Sequence, residues 1–294
     1  MAGDPQTSTE YVKHHLQNLT YGKFSSDGDI CGYGELREAG TWGVAHCSAE
    51  AKDMGFMAVH LDSIGWSFAL GLLFILIFGS AARKATSGVP GMFQNAIESV
   101  IAFVETSVKE SFPGKDRYIA PISLTVFMWV LFMNTMDLVP IDLLPRLFYF
   151  MGVDYMKVVP TTDPNITFGM AINVLLLIIV YSIRAKGISG FIGDLTLHPL
   201  TTKWAIPFNF LLETVALLAK PFSLALRLYG NLFAGELIFI MIALMFTGGD
   251  VAMSLVGGVC QILWAVFHIL VIVLQAYIFM MLTIIYLGMA QQDH

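Results

Sequence analysis

Charge is scarce in this sequence, and the basic residues form no cluster. Only 13% of the residues are charged, whereas 56% are hydrophobic and the mean hydropathy is +0.70. A net charge of −6 without a basic cluster gives no support for nucleic-acid binding. Several apolar runs instead reach the roughly 20 residues that cross a bilayer. The composition therefore predicts an integral membrane protein in contact with lipid.

Motifs for metal, nucleotide or cofactor binding are also lacking. The sequence contains no CxxC or HExxH motif and no glycine-rich phosphate loop. We therefore expect no metal site, no nucleotide site and no cofactor.

Cysteine is rare, and the cysteines lie in two different regions of the chain. Cys31 and Cys47 lie 16 residues apart in the N-terminal region, whereas Cys260 lies in the last apolar stretch and is expected to be a buried thiol. In an oxidising periplasm a bond between the first two would restrain the unfolded chain by about 3 kcal/mol. Two free thiols, or a bond formed only under oxidising preparation, are the alternatives.

Residues 1–60 differ from the rest of the chain. They carry eight acidic and four basic residues and few apolar runs. The first long apolar run starts near Ile64, too far from the N-terminus for a signal peptide. We therefore expect a periplasmic tail over residues 1–60, which we interpret as a cap, and a membrane domain over residues 61–294.

The basic residues beside the apolar runs predict the orientation. Arg83 and Lys84 follow the first run, and Lys109, Lys115 and Arg117 precede the second. Since basic flanks stay in the cytoplasm, the segment between these two runs should not cross the membrane. The N-terminus is then periplasmic and the C-terminus cytoplasmic.

The non-crossing segment, residues 90–112, is predicted to be an amphipathic helix on the membrane surface. Pro90 opens it and Pro113-Gly114 ends it. Its apolar residues recur at helical spacing, at Phe93, Ile97, Val100, Ile101, Val104, Val108 and Phe112.

The predicted fold is an all-α integral membrane protein with five transmembrane crossings and this surface helix. As helices, the apolar stretches 204–246 and 251–289 would each be roughly 60 Å long, about twice the hydrocarbon core. We therefore expect the last two helices to be long, strongly tilted and antiparallel. The predicted crossings cover residues 62–82, 118–139, 166–184, 204–247 and 251–289.

Arg227 is an ionised side chain inside an apolar stretch. Insertion of an arginine at the centre of a membrane helix costs roughly 2.5–3.5 kcal/mol, so its presence indicates a functional site. Arginine does not deprotonate, and it can only supply a fixed positive charge.

Titratable residues flank Arg227 along the same stretch. Glu213 lies 14 residues before it and Glu236 nine after, which is roughly 21 Å and 13 Å along a helix. Asn231 shares the face of Arg227, whereas Glu236 points the opposite way. In the last stretch His268 and Gln275 share a face, and we interpret His268 and Glu236 as groups that pass protons.

Three segments carry a family resemblance. They are Lys220-Pro-Phe-Ser-Leu-Ala-Leu-Arg227-Leu-Tyr-Gly-Asn231-Leu-Phe-Ala-Gly-Glu236, the pair Phe267-His268 with Gln275-Ala-Tyr-Ile-Phe, and Met136-Asp137-Leu-Val-Pro140. Together they resemble subunit a of bacterial F-type ATP synthases, from about residue 61 to the C-terminus. The resemblance implies a non-catalytic stator subunit in the bacterial inner membrane. It implies one copy per complex, beside a rotating ring of c subunits, with the b-subunit peripheral stalk and the other synthase subunits as partners.

The resemblance also implies two offset half-channels. Protons would enter from the outer side and neutralise a carboxylate on the ring, and they would leave towards the cytoplasm after nearly a full turn. Arg227 would favour ionisation of that carboxylate and block a direct proton shortcut. The outer path is assigned to Glu236 and His268, helped by Asn231 and Gln275, and the inner path to Glu213 and Ser223.

Structural alternatives stand beside these roles. Arg227 could be paired with Glu236 or Glu213, and His268 could be a packing histidine. Glu213 could reach headgroups, and Asn231 and Gln275 could only join helices. Two further sets are given structural roles: Lys220 as a lipid contact, and Asp62, Asp142 and Lys157 as an ion network at the outer ends of spans.

Two other function classes compete with the stator interpretation. A stand-alone ion channel or antiporter would use Arg227 and Glu236 as a gate, but it predicts inverted repeats that the sequence lacks. A purely structural membrane anchor would not need a line of titratable residues.

Overall fold

The computed structural model describes residues 12, 16–31, 36–86, 88–112, 114, 116–140, 143–150, 156–197, 205–246 and 251–291. It contains eight helices in this described part of the chain. They are α1 (Ser48–Asp53), α2 (Leu61–Lys84), α3 (Met92–Ser111), α4 (Ile119–Thr135), α5 (Leu143–Tyr149), α6 (Pro164–Leu197), α7 (Ile206–Ala243) and α8 (Val251–Gln291). Short 3-10 turns occupy Gly55–Met57, Met136–Leu138, Pro160–Thr162 and Leu244–Phe246.

A small antiparallel sheet precedes the first long helix. Its order is β2-β1-β3, with β1 (Thr20–Lys23), β2 (Trp42–Val44) and β3 (Ala58–His60). Tyr21 on the central strand lies opposite Val44 on one side and Val59 on the other. This sheet was not predicted, because strands of three or four residues carry too little alternation to be recognised from the sequence.

The sheet packs over a core of its own. Phe24, Ala45 and Met54 are buried together. A disulfide joins Cys31 to Cys47, with 6.0 Å between their Cα atoms, in agreement with the first of the three possibilities predicted from the sequence. Cys260 is a free thiol and only partly buried, less than expected from its apolar stretch.

Five helical segments are long and apolar enough to cross a membrane. They are Leu61–Lys84, Ile119–Leu138, Pro164–Leu197, Ile206–Phe246 and Val251–Gln291. A helix pairs its own backbone N–H and C=O groups, for which hydrocarbon offers no hydrogen-bond partners. The predicted all-α membrane fold with five crossings is confirmed by this count. Helix α3 does not qualify as a span, and it buries Ile97, Val104 and Val108 from its apolar stripe.

Helix α6 runs past the predicted end at residue 184. It continues to Leu197, and only Gly187 departs from helical backbone, with φ of 73°. A positive φ is accessible to glycine without a side-chain clash, so two helical segments meet there. Lys186 Nζ donates to Asp194 Oδ2 at 2.6 Å across this break. The fall in hydropathy after residue 184 therefore did not mark the end of the helix.

Other boundaries also differ from the predictions. Helix α3 begins at Met92 after a Gly91 cap, not at Pro90. The connection between the second and third predicted crossings contains a further short helix, α5. The predicted limits at residues 204 and 247 lie outside the described residues.

The chain divides into two compact units. The first comprises Met1–Leu70, Met133–Asp163 and Leu232–Leu270, and the second comprises Gly71–Phe132, Pro164–Asn231 and Val271–His294. The two longest helices contribute to both.

Within each unit α7 and α8 pack antiparallel. In the first unit Phe239 contacts His268, and Met245, in the 3-10 turn that follows α7, lies beside Gly257. In the second, Lys220 lies over the ring of Tyr286 and Asn231 binds Gln275. Residues later in α7 thus contact residues earlier in α8, which is the antiparallel arrangement that was predicted. The tilt of the two helices stays a prediction.

Candidate functional site

Four ionisable side chains are buried together in the first unit, and we call them the polar cluster. They are Asp137, Lys157, Glu236 and His268, with relative exposures of 6%, 5%, 7% and 1%. Buried charges are costly unless they are paired. In this unit they form two pairs.

The first pair joins Asp137 to His268. Asp137 Oδ2 and His268 Nε2 are 2.5 Å apart. Asp137 lies in the 3-10 turn that follows α4, and His268 lies on α8. Aromatic rings enclose the imidazole, since Trp264 stacks on it at 5.9 Å and Phe239 meets it edge-on at 5.2 Å. The imidazole is thus held in one orientation.

The second pair joins Glu236 to Lys157. Lys157 Nζ and Glu236 Oε2 are 3.3 Å apart, an ion-pair distance without hydrogen-bond geometry. The backbone N–H of Lys157 donates to Asp62 Oδ2 at 2.9 Å. Asp62 and Lys157 are therefore neighbours, but through the backbone of Lys157, and the ion network predicted for them stays a prediction. Asp142, its third predicted member, lies outside the described residues.

A small cavity opens beside these pairs. Asp137, Lys157 and Glu236 line it, together with apolar side chains that include Met136 and Pro145. Its free space is enough to hold water, and it offers the polar partners that a bound water needs. Asp137 and Glu236 thus face the same water-sized space.

Asn134 is a further polar residue of this unit, and it was not predicted from the sequence. It is fully buried, and neither its amide nitrogen nor its amide oxygen has a hydrogen-bond partner in the described part of the chain. Buried amides normally find protein or water partners. Asn134 precedes Asp137 by three residues, which places both on one side of a helix end. That spacing of two polar residues at the end of an apolar span was the available signal.

The second unit holds Arg227, Asn231, Gln275 and Glu213. Arg227 and Asn231 are exposed on α7, and Glu213 is half-buried. Asn231 Nδ2 donates to Gln275 Oε1 at 2.9 Å, and Gln275 is buried on α8. Among the described residues of this unit Arg227 forms no ion pair with Glu213. Within the described part of this unit, the guanidinium therefore stands on an apolar helix without an acidic partner.

The predicted site residues are thus divided. Glu236 and His268 share the first unit, but each has another charged partner, namely Lys157 and Asp137. Asn231 and Gln275 bind each other in the second unit. Asp137 was predicted only as part of a motif and Lys157 only as a structural residue, because their partners are distant in the chain.

Comparison with known proteins finds a matching protein family. A sequence model described as ATP synthase A chain matches residues 64–288. ATP synthase subunit a 2 of Hahella chejuensis is 57% identical, over the whole length of both chains. ATP synthase subunit a of Pseudomonas savastanoi pv. phaseolicola is 55% identical, over 98% of this chain and 99% of its own. The counterpart in Pseudomonas fluorescens strain Pf-5 is 54% identical, over 98% of each chain.

Proposed function

The chain belongs to the ATP synthase A chain family, and from this membership we propose that it carries protons between the two sides of the membrane and a rotating ring of c subunits. It is a multi-pass membrane component of the ATP synthase complex. The observation that carries the proposal is Arg227, a permanent cation on an apolar helix with no ion pair among the described residues.

The polar cluster supports an outer half-channel. Proton transfer needs titratable groups linked by water, and Asp137 and Glu236 line a cavity that admits water. His268 bonds to Asp137 and extends the path along α8. A proton entering from the outer side passes through these groups to a ring carboxylate. Asn231 and Gln275, joined to each other in the second unit, assist transfer at the ring.

Arg227 acts on the ring carboxylate after that step. A neutral carboxylic acid can turn into lipid at small cost, whereas the carboxylate anion cannot. The guanidinium stabilises the anion and so favours release of the proton to the inner half-channel. Glu213, half-buried on α7, and Ser223 lead that proton to the cytoplasm.

Arg227 also prevents a leak. It cannot give up its proton, so no proton passes through it from one half-channel to the other. Each charge that crosses the membrane releases ~2.3 kcal/mol per 100 mV, and a shortcut would waste this energy.

The remaining assignments follow from the same proposal. The chain is a single-copy stator subunit of the bacterial inner membrane, with the b-subunit peripheral stalk as a further partner. Its N-terminus is periplasmic and its C-terminus cytoplasmic, and it performs no covalent catalysis.

The test is ATP-driven acidification of inverted membrane vesicles carrying Arg227→Ala. Lys220→Ala is the matched control, because it removes a positive charge seven residues away on the same helix. Assembly of the complex is checked by blotting for the other subunits. We expect Arg227→Ala to abolish pumping with normal assembly, and Lys220→Ala to retain most of it. Near-parental pumping by Arg227→Ala would overturn the proposed mechanism.

A further inference from the structure

Lys157 is a buried cation that the two half-channels leave unused. Lysine is almost never fully buried without a partner, because its ammonium group loses its water. Lys157 is buried and nevertheless lies outside the helices that can span the membrane. Its position therefore calls for a role that a neutral side chain could not fill.

The position of Lys157 is held by groups other than Glu236. Its backbone N–H donates to the buried carboxylate of Asp62, which also accepts the backbone N–H of Leu19 at 2.8 Å. Its ammonium donates to the carbonyl oxygen of Thr162 at 3.4 Å and lies 5.6 Å from the ring centre of Phe233. These contacts hold the ammonium group of Lys157 in place independently of Glu236.

The fixed charge faces the carboxylate of Glu236. The two groups are 3.3 Å apart and both line the cavity beside Asp137. Other charges of the first unit contribute, since Asp137 faces the same cavity from the end of α4 and His268 on α8 bonds to Asp137. Two acids and two bases thus meet in one buried cluster.

We infer that Lys157 is a positioning residue for proton transfer: its ammonium holds the Glu236 carboxylate at the cavity and sets the pH at which protons enter from the outer side. This inference rests on the proposed function, in which Glu236 accepts a proton. The physical reason is that a nearby positive charge favours the ionised carboxylate over the protonated one. Protons then load only when the outer side is sufficiently acidic.

The test measures ATP synthesis by inverted vesicles as a function of lumenal pH. The lumen corresponds to the outer side, and a potassium gradient with valinomycin keeps the total driving force constant. Lys157→Gln should move the midpoint of the profile by about one pH unit or more towards alkaline values, in line with the effect of an opposite charge within about 4–6 Å. Lys157→Arg keeps the charge and should keep the midpoint, with a rate within about twofold of the parent. A merely structural role would lower the rate at every pH without moving the midpoint.

Substitution of Glu236 separates this inference from the proposed function. Parental synthesis and an unchanged profile in Glu236→Gln would overturn the outer path through Glu236. A defect in Glu236→Gln together with an unmoved midpoint in Lys157→Gln would overturn only the role of Lys157. Where Glu236→Gln keeps residual activity, adding Lys157→Gln should not shift the midpoint pH of ATP synthesis any further, because Lys157 acts through Glu236.

Assembly is checked for every variant. Lys157→Met replaces Lys157→Gln where the latter does not assemble, since a methionine of similar length needs no polar partner. Failure of both neutral variants to assemble, with normal assembly of Lys157→Arg, would show that the charge serves folding. That outcome would also overturn the inference.

Discussion

The imidazole of His268 lies so close to Gly235 that a side-chain carbon at position 235 would overlap it. The glycine is on α7 and the histidine on α8. The nearest atom of the ring would be Cε1, and the ring cannot retreat because Phe239 and Trp264 also contact it. The place of His268 beside Asp137 therefore depends on the absence of a side chain at residue 235.

We expect Gly235→Ala to displace His268 and to lower proton pumping at least several-fold. Overpacking at a buried contact costs typically about 1–3 kcal/mol, and here the strain falls on a proposed proton-transfer group. ATP-driven acidification of inverted vesicles measures the effect. Gly258→Ala is the control, because a methyl group there meets no atom within 4 Å. Equal pumping by the two variants would contradict the expectation.

Asp137→Asn should impair pumping while leaving the shape of the site almost unchanged. The amide keeps a hydrogen-bonding atom near His268 Nε2 but removes the only group of this pair that could take up and release a proton as a carboxylate does. Proton transfer by a positioned side chain contributes typically about 10²–10⁴-fold, so a loss of about tenfold or more is expected. Pumping is measured in vesicles with normal assembly. Asp53→Asn, which removes an acid from the N-terminal region, serves as the control, and parental pumping by Asp137→Asn would argue against the outer path.

The hydrogen bond between Asn231 and Gln275 should appear as a coupling energy. Interhelical hydrogen bonds in membranes contribute about 0.6 kcal/mol on average and up to about 1.7 kcal/mol. A double-mutant cycle of Asn231→Ala and Gln275→Ala, read from thermal inactivation of the complex, should give a coupling in this range. In the control cycle Thr283→Val takes the place of Gln275→Ala. Thr283 Oγ1 donates its hydrogen bond to the carbonyl oxygen of Phe279 in the same helix. Zero coupling for Asn231 and Gln275 would show that the two amides act independently.

The contact between His60 and Asp163 should make the N-terminal region more stable at acidic pH. His60 Nδ1 and Asp163 Oδ2 are 2.6 Å apart, and this hydrogen bond raises the pKa of His60 above its ordinary value of 6.5. A raised pKa in the folded state gives stability that is complete below pH 6.5 and is lost as the pH rises through the folded value.

Limited proteolysis of residues 16–60 at pH 6 and pH 9 measures this effect. We expect slower cleavage at pH 6. The difference should shrink in His60→Gln and equally in Asp163→Asn, because either substitution removes the pair. A pH difference that survives in both variants would have another source.

The disulfide should stabilise the sheet region without affecting proton transport directly. Cys31 and Cys47 close a loop with a sequence separation of 16, which restrains the unfolded chain by about 3 kcal/mol. Cys31→Ser with Cys47→Ser should speed proteolysis of this region, whereas Cys260→Ser should not. Non-reducing peptide mapping that finds both cysteines alkylated in the native protein would rule the bond out.

Most of the membrane fold could be predicted because bilayer thickness and the cost of buried charge act locally along the chain. Runs of apolar residues near 20 in length, such as the one ending before Arg83, mark spans without any knowledge of tertiary contacts. The same reasoning failed at Gly187, because hydropathy reports burial in lipid and not helical backbone. It also missed the sheet, whose short strands are defined by pairing between distant residues.

The sequence by itself determined the five spans, their antiparallel last pair and the presence of Arg227, Glu236 and His268 within apolar helices. Those features depend on composition and helical periodicity. Only the tertiary structure decided the partners, which are Lys157 for Glu236 and Asp137 for His268. These pairs are 79 and 131 residues apart in the chain, and no local pattern specifies which buried charges meet. Pairing follows from packing, because a buried charge is stable only beside the group that neutralises it.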